Sequence, residues 1–138
     1  MTQNLTSYVE KLTEAWNSHD LTQVLPYYAD EYEGLNISEP QLQRGRDAVK
    51  QMLLTCCRAF PDLHFTTEST IAQENRIAIS WLAEGTQKGA IMHIPPTGRR
   101  VQIRGVSIID VRDGLVVRGE YIWDMAGMLR HIGLLPEL

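Results

Sequence analysis

Asp124 is the residue in this chain best placed to do chemistry. It follows the apolar run Tyr121-Ile122-Trp123, which reads as the end of a strand. A carboxylate enclosed by apolar groups has its pKa raised toward neutrality, and can then take a proton from carbon and return one to oxygen. The same position suits a plainer task, because Asp124 stands immediately before a short apolar run at helical spacing and aspartate is a favoured N-cap. The residues alone leave both roles open. His93 is a second candidate base, although a histidine in a polar loop is more commonly just solvated. Glu120 shares a strand with Asp124 but lies two pleats away, about 13 Å, too far for a close carboxylate pair. Ser107 has no nucleophile elbow and no histidine or acid nearby in sequence, which disfavours covalent hydrolysis. The four histidines, His19, His64, His93 and His131, have no metal-ligand spacing, so no metal site is expected. Cys57 beside Arg58 could be a reactive thiol but has no partnering motif, and Cys56 reads as a core residue.

The elements that must position these groups follow from the period of the apolar residues. Leu5, Tyr8, Val9, Leu12, Ala15 and Trp16 predict an amphipathic helix near residues 3–18. Asp20 predicts the N-cap of a second helix, with Gln23 completing a capping box and Pro26 kinking or shortening it. A third helix starts after Gly45 and ends at Pro61. From Leu63 the period changes to two. Strands are expected from Leu63 to Ile71, Arg76 to Gln87, Arg100 to Val111 and Leu115 to Asp124, with a short extra strand near Tyr32 to Ile37. Met125, Met128, Leu129 and Ile132 predict a last helix closed by Gly133 and Pro136. Helices first and hairpins after them mean an α+β fold with an antiparallel sheet, and a sheet packed on helices at one end curls around a concave pocket.

Asp113-Gly114 is a strong two-residue turn signal. With that turn, Asp124 faces Ile103 and shares its side of the ribbon with Gly105, Ser107, Glu120 and Ile122. Arg104, Val106, Ile108, Tyr121 and Trp123 fall on the other side, although a one-residue bulge would exchange parts of the two sets. Trp16, Tyr28, Trp81 and Met92 are candidate pocket walls, with core packing as the alternative. If Asp124 points inward, then Val106, Ile108, Tyr121 and Trp123 form an outer apolar patch suited to a homodimer through the sheet face.

The composition limits the partners. At 138 residues the chain is one domain, 1–138, with 43% hydrophobic and 22% charged residues. Thirteen basic against 17 acidic residues leave a charge of −4, which argues against nucleic acid. No apolar run is long enough for a membrane span, and the first residues lack a signal-peptide pattern. Two adjacent cysteines make a poor disulfide and suggest a reducing compartment, with the cytoplasm as the default.

Several segments together resemble one family. They are Gly85-Thr86-Gln87-Lys88-Gly89, Ile94-Pro95-Pro96-Thr97-Gly98-Arg99, Arg104-Gly105-Val106, and Tyr121-Ile122-Trp123-Asp124 running on to Leu129-Arg130-His131-Ile132-Gly133-Leu134-Leu135-Pro136. Ala15-Trp16-Asn17 and Phe60-Pro61-Asp62-Leu63 agree with them. The ordered set resembles the SnoaL-like polyketide cyclases, or ester cyclases, of the NTF2-like superfamily. The resemblance implies a cone-shaped α+β barrel with an interior pocket, and a domain that pairs through its sheet. It also implies an intramolecular aldol condensation that needs no metal or cofactor, on an apolar carbonyl or polyketide-like substrate. Asp124 matches the position of the family's acid/base. This chain differs in having Gln87 where relatives often carry histidine, His93 where they carry glycine, and His131 where they carry glutamine. His93, beside the pocket mouth, could supply a different base.

Overall fold

The structure, a computed structural model, describes residues 2–39 and 41–136. The first amphipathic run forms α1 (Thr2–Asn17), which buries Val9, Leu12 and Ala15. Asp20 caps a single turn, α2 (Leu21–Val24), and its carboxylate accepts from the Thr22 amide and hydroxyl, so the cap closes on Thr22 rather than on Gln23. Pro26 does shorten this helix, and the chain continues as a 3-10 turn, Leu25–Tyr27. The extra strand is longer than expected and forms β1 (Tyr28–Asn36). β2 (Gln43–Arg44) leads into α3 (Gly45–Ala59), which stops before Pro61, as the backbone preference of a residue preceding proline requires.

The hairpins follow as β3 (His64–Gln73), β4 (Arg76–Thr86), β5 (Arg100–Arg112) and β6 (Leu115–Trp123), and α4 (Met125–His131) closes the chain. Six strands form one curved sheet in the order β2-β1-β6-β5-β4-β3, an α+β architecture. Every pairing is antiparallel except β1 with β6, which corrects the wholly antiparallel expectation. The last strand of the hairpin series returns beside β1 in the same direction, a connection long enough for a parallel pair.

The register of β5 and β6 decides what faces inward. Next to the turn, Arg112 pairs with Leu115 and Val111 with Val116, as a two-residue turn demands. The register then shifts, and Asp110 pairs with Arg118, so that Val117 is an inserted residue. Beyond this bulge Ser107 pairs with Tyr121 and Gly105 with Trp123. Asp124 therefore stands opposite Arg104, whose carbonyl accepts its amide at 3.0 Å, and not opposite Ile103. Tyr121 and Trp123 turn inward while Ile122 and Glu120 turn outward, the reverse of the unbulged reading.

α1 packs on edge strand β3, α3 on β1, and α4 on β5. Two cores result. One lies at the turn end and contains Val24, Tyr32, Val49, Leu53, Ile77, Ile109 and Val116. The other lies under α4 and contains Phe60, Leu63, Ala83, Val101, Met128 and Ile132. Trp81 packs against both. No described helix is long and apolar enough to cross a membrane.

Candidate functional site

Burial along the inner face of the sheet is interrupted in the middle. Ile77, Ile79, Ile109 and Val116 are buried in the first core, and Ala83 and Val101 in the second. Between them the inward-facing Trp81, Ile103, Gly105, Ser107, Tyr121 and Trp123 are only half-buried, although each lies on a strand with neighbours on both sides. Side chains so placed keep access to solvent only where nothing covers them. The middle of the curved sheet is thus the floor of a cup, with α1 over edge strand β3 and α3 over β1.

Aromatic rings line this cup in an unbroken edge-to-face series. Trp81 meets Phe65 at 5.7 Å between centroids, Phe65 meets Trp16 at 6.3 Å, Trp16 meets Tyr28 at 6.4 Å, and Tyr28 meets Tyr32 at 5.2 Å. The indole nitrogens are all engaged: Trp16 donates to the Tyr28 hydroxyl, Trp81 to Ser107 Oγ and Trp123 to Asn36 Oδ1, each at 2.9 Å. Asn17 stitches α1 to the free edge of β3, donating to the Phe65 carbonyl and accepting from its amide, which fixes Trp16 above the floor.

Glycines make room for these rings. Gly34 and Gly119 are register partners on β1 and β6, and a Cβ on either would strike the hydroxyl of Tyr32 or of Tyr121. A Cβ on Gly105 would strike the Trp81 ring. Tyr121 thus lies back along β6 over Gly119, away from Asp124, and its hydroxyl meets that of Tyr32 at 2.5 Å. Burial raises the pKa of all three tyrosines. Tyr32 is pushed up to about 12, and the neighbouring phenols push Tyr28 and Tyr121 further. All three are therefore neutral hydrogen-bond donors at physiological pH.

The structure brings part of the expected site together. Trp16, Tyr28, Trp81, Ile103, Gly105 and Ser107 face the cup. Asp124 follows Trp123, the last residue of β6, and stands opposite the outward-facing Arg104. It is exposed rather than enclosed, and Oδ1 accepts from the Gly127 amide at 2.8 Å as the N-cap of α4. Oδ2 makes no bond among the described residues. Four expected residues lie elsewhere. Ile122 is 48% exposed on the outer face, because the bulge at Val117 reverses its side. Gln87 is fully buried and clamps the 88–98 loop. Its amide donates to the Gly89 and Pro95 carbonyls, and its oxygen accepts from the Thr97 amide and hydroxyl. Met92 and His93 occupy the exposed tip of that loop, both with positive φ, between the bridged residues Ile91 and Ile94.

Tyr32, Tyr121, Trp123 and Phe65 are cup residues that the sequence reading did not select. The available signal was Val116-Val117, two consecutive apolar residues that break the alternation of β6. Burial raises both thiols and takes Cys56 to about 11, which disfavours the reactive thiolate. Among the described residues no group of three His, Cys, Asp or Glu could hold a metal. A separate open cleft of about 360 Å³ lies at the turn end, lined by Glu31, Glu33, Asp110, Arg112 and Arg118 among others. Its walls are charged and shallow and hold no aromatic ring, so the cup is the better candidate for an organic ligand.

Comparison with known proteins gives the same architecture. The SnoaL-like polyketide cyclase family matches residues 6–132. No curated protein matches in sequence. Among solved structures, AclR from Streptomyces galilaeus, for which a hydroxylase activity is suggested, aligns with a TM-score of 0.87 and 27% identity, over 100% of this chain and 86% of its own. A SnoaL-like polyketide cyclase from Agrobacterium tumefaciens aligns at 0.78 and 22%, over 94% and 98%. IdmH from Streptomyces antibioticus, with a suggested polyketide cyclase activity, aligns at 0.80 and 25%, over 93% and 97%.

Proposed function

From the premise that this chain belongs to the SnoaL-like polyketide cyclase family, we propose that it holds an apolar carbonyl compound in the aromatic cup and carries out acid/base chemistry on it, an aldol-type cyclisation or an isomerisation. The observation that carries this reading is the half-buried aromatic floor between two closed cores. Nothing about folding requires an opening there, and a flat aromatic or polycyclic ligand would fill it. The polyketide cyclase activity suggested for IdmH also supports the reading.

Asp124 is the acid/base group of this proposal. Its Oδ2 makes no bond among the described residues while Oδ1 holds the helix cap, so the carboxylate is oriented before a ligand arrives. Oδ2 takes a proton from the carbon next to a carbonyl. The resulting carbanion attacks a second carbonyl within the ligand, and the same carboxyl returns its proton to the new alkoxide. An isomerisation uses the first transfer and returns the proton to a different carbon. A second reading, a binding module without turnover, is favoured by one observation: Asp124 is exposed and serves as a cap.

Asp124→Asn separates the two, because asparagine also caps helices but cannot accept the proton. The assay is NMR-monitored deuterium exchange, in D2O, of the α-protons of aryl β-keto esters and aryl ketones. Wild type is expected to accelerate exchange, with a loss of about a hundredfold or more in the variant. Equal exchange by both proteins would remove the acid/base role, and binding without any exchange would leave the module.

A further inference from the structure

The hydroxyl protons at the base of the cup outnumber their acceptors. Tyr28, Tyr32 and Tyr121 carry three, and every bond these hydroxyls make among the described residues is accounted for by two contacts. Tyr28 accepts from Trp16 and donates to nothing. Tyr32 and Tyr121 share one hydrogen bond, which uses one of their two protons. Two phenolic protons therefore lack an acceptor in a cluster where Tyr28 is 4% exposed and Tyr32 fully buried. Each of these oxygens has one hydrogen-bond partner, but a proton left over in a buried cluster favours a further acceptor. Ser107, directly across from Tyr121, is in the same condition, accepting from Trp81 and keeping its own proton.

We propose that the Tyr28–Tyr32–Tyr121 cluster is the docking point for an acceptor oxygen, a carbonyl or a phenolate, at the deep end of an elongated apolar ligand. The partly exposed Tyr121 is the face that the ligand meets, and Tyr32, locked over Gly34, holds its hydroxyl in place. Gly34 and Gly119 allow both phenols to lie against the sheet, which puts the donors at the floor.

The position of this oxygen has a consequence for the substrate. The Tyr121 hydroxyl lies over Gly119, five residues of strand from Asp124, or about 16 Å. A hydrogen bond at one end and a proton-transfer contact at the other, each about 3 Å, leave roughly 10 Å for the ligand. The oxygen held by the tyrosines is therefore not the carbonyl activated at Asp124. The substrate carries two separated oxygen functions, one for anchoring and one for reaction. This inference rests on the cup being the ligand site.

A matched pair of probes tests it, 2-acetylnaphthalene and 2-ethylnaphthalene, which differ by one carbonyl. Their affinities are read from tryptophan fluorescence in wild type, Tyr121→Phe and Tyr32→Phe, with circular dichroism confirming that each variant is folded. The ketone's affinity relative to the hydrocarbon is expected to fall about tenfold in the Phe variants, while the hydrocarbon's own affinity stays constant. The infrared carbonyl stretch of the bound ketone is expected below its position in a hydrocarbon solvent for wild type, and to return toward that position in Tyr121→Phe. An unchanged affinity ratio, or a stretch in wild type like that in hydrocarbon, would overturn the tyrosine assignment alone. Failure of both probes to bind wild type would overturn the cup reading and the assignment with it.

Discussion

Asp124→Ala and Asp124→Asn should differ in stability as well as in activity. Alanine removes the oxygen that accepts from Gly127, and is expected to cost about 1 kcal/mol of unfolding free energy in a urea titration. Asparagine should remain close to wild type, so its effect on exchange reports chemistry alone. The buried tyrosines make a separate prediction about pH. Their folded pKa values lie above the ordinary value of 10.0, Tyr32 at about 12. Groups raised in this way favour the folded chain fully below pH 10 and lose that contribution as pH rises through the folded values. Stability should therefore fall from about pH 10 upward, with a shallower fall in Tyr32→Phe; urea midpoints between pH 9 and 12 that stayed flat would contradict it. At this scale the sequence was informative where a residue's role is local. Asp124 as a cap could be read from its neighbours, whereas the spare proton of the Tyr32–Tyr121 pair depends on two residues 89 positions apart and on two glycines that let the rings lie down.

The helices and hairpins are where the period and turn residues put them, because those signals are set by neighbours a few positions apart. The bulge is different. Val116-Val117 announces a break in alternation, but which residue is inserted depends on how β5 and β1 hold β6 from both sides. That one residue moved Ile122 out of the expected site and moved Tyr121 and Trp123 into it. The 88–98 loop gives an element-scale prediction. Met92 and His93 have φ of +49° and +65°, a geometry that two-residue turns usually fill with Asn-Gly. Met92→Asn with His93→Gly should stabilise the fold by about 1–2 kcal/mol, seen as a higher melting temperature. Retained α-proton exchange in that variant would assign His93 to the loop alone, whereas lost exchange would restore it as a second base.

On the outer face, the corrected register replaces the expected patch with another. Ile71, Ala78, Leu82, Val106, Ile108 and Ile122 share this face, with Ile71 73% exposed. The ion pair Glu68–Arg104 borders one end and Arg76–Asp110 the other, so both rims carry both signs and two copies related by a two-fold axis need not repel. A homodimer through this face remains the expected assembly. Ile108→Arg is expected to give a folded monomer by light scattering, and a wild-type monomer would refute the pairing. Trp123→Arg, which places a charge in the cup, should instead unfold the chain. The division into two cores joined through Trp81 has a consequence of another kind. The two halves meet through the rings of Trp81, Phe65 and Trp16, and an aromatic occupant would add to that contact. A molecule that binds only the folded chain protects it from unfolding and from the proteases that follow. The ligand would then act as a pharmacological chaperone, and the amount of this protein in a cell would rise and fall with the supply of the compound it binds.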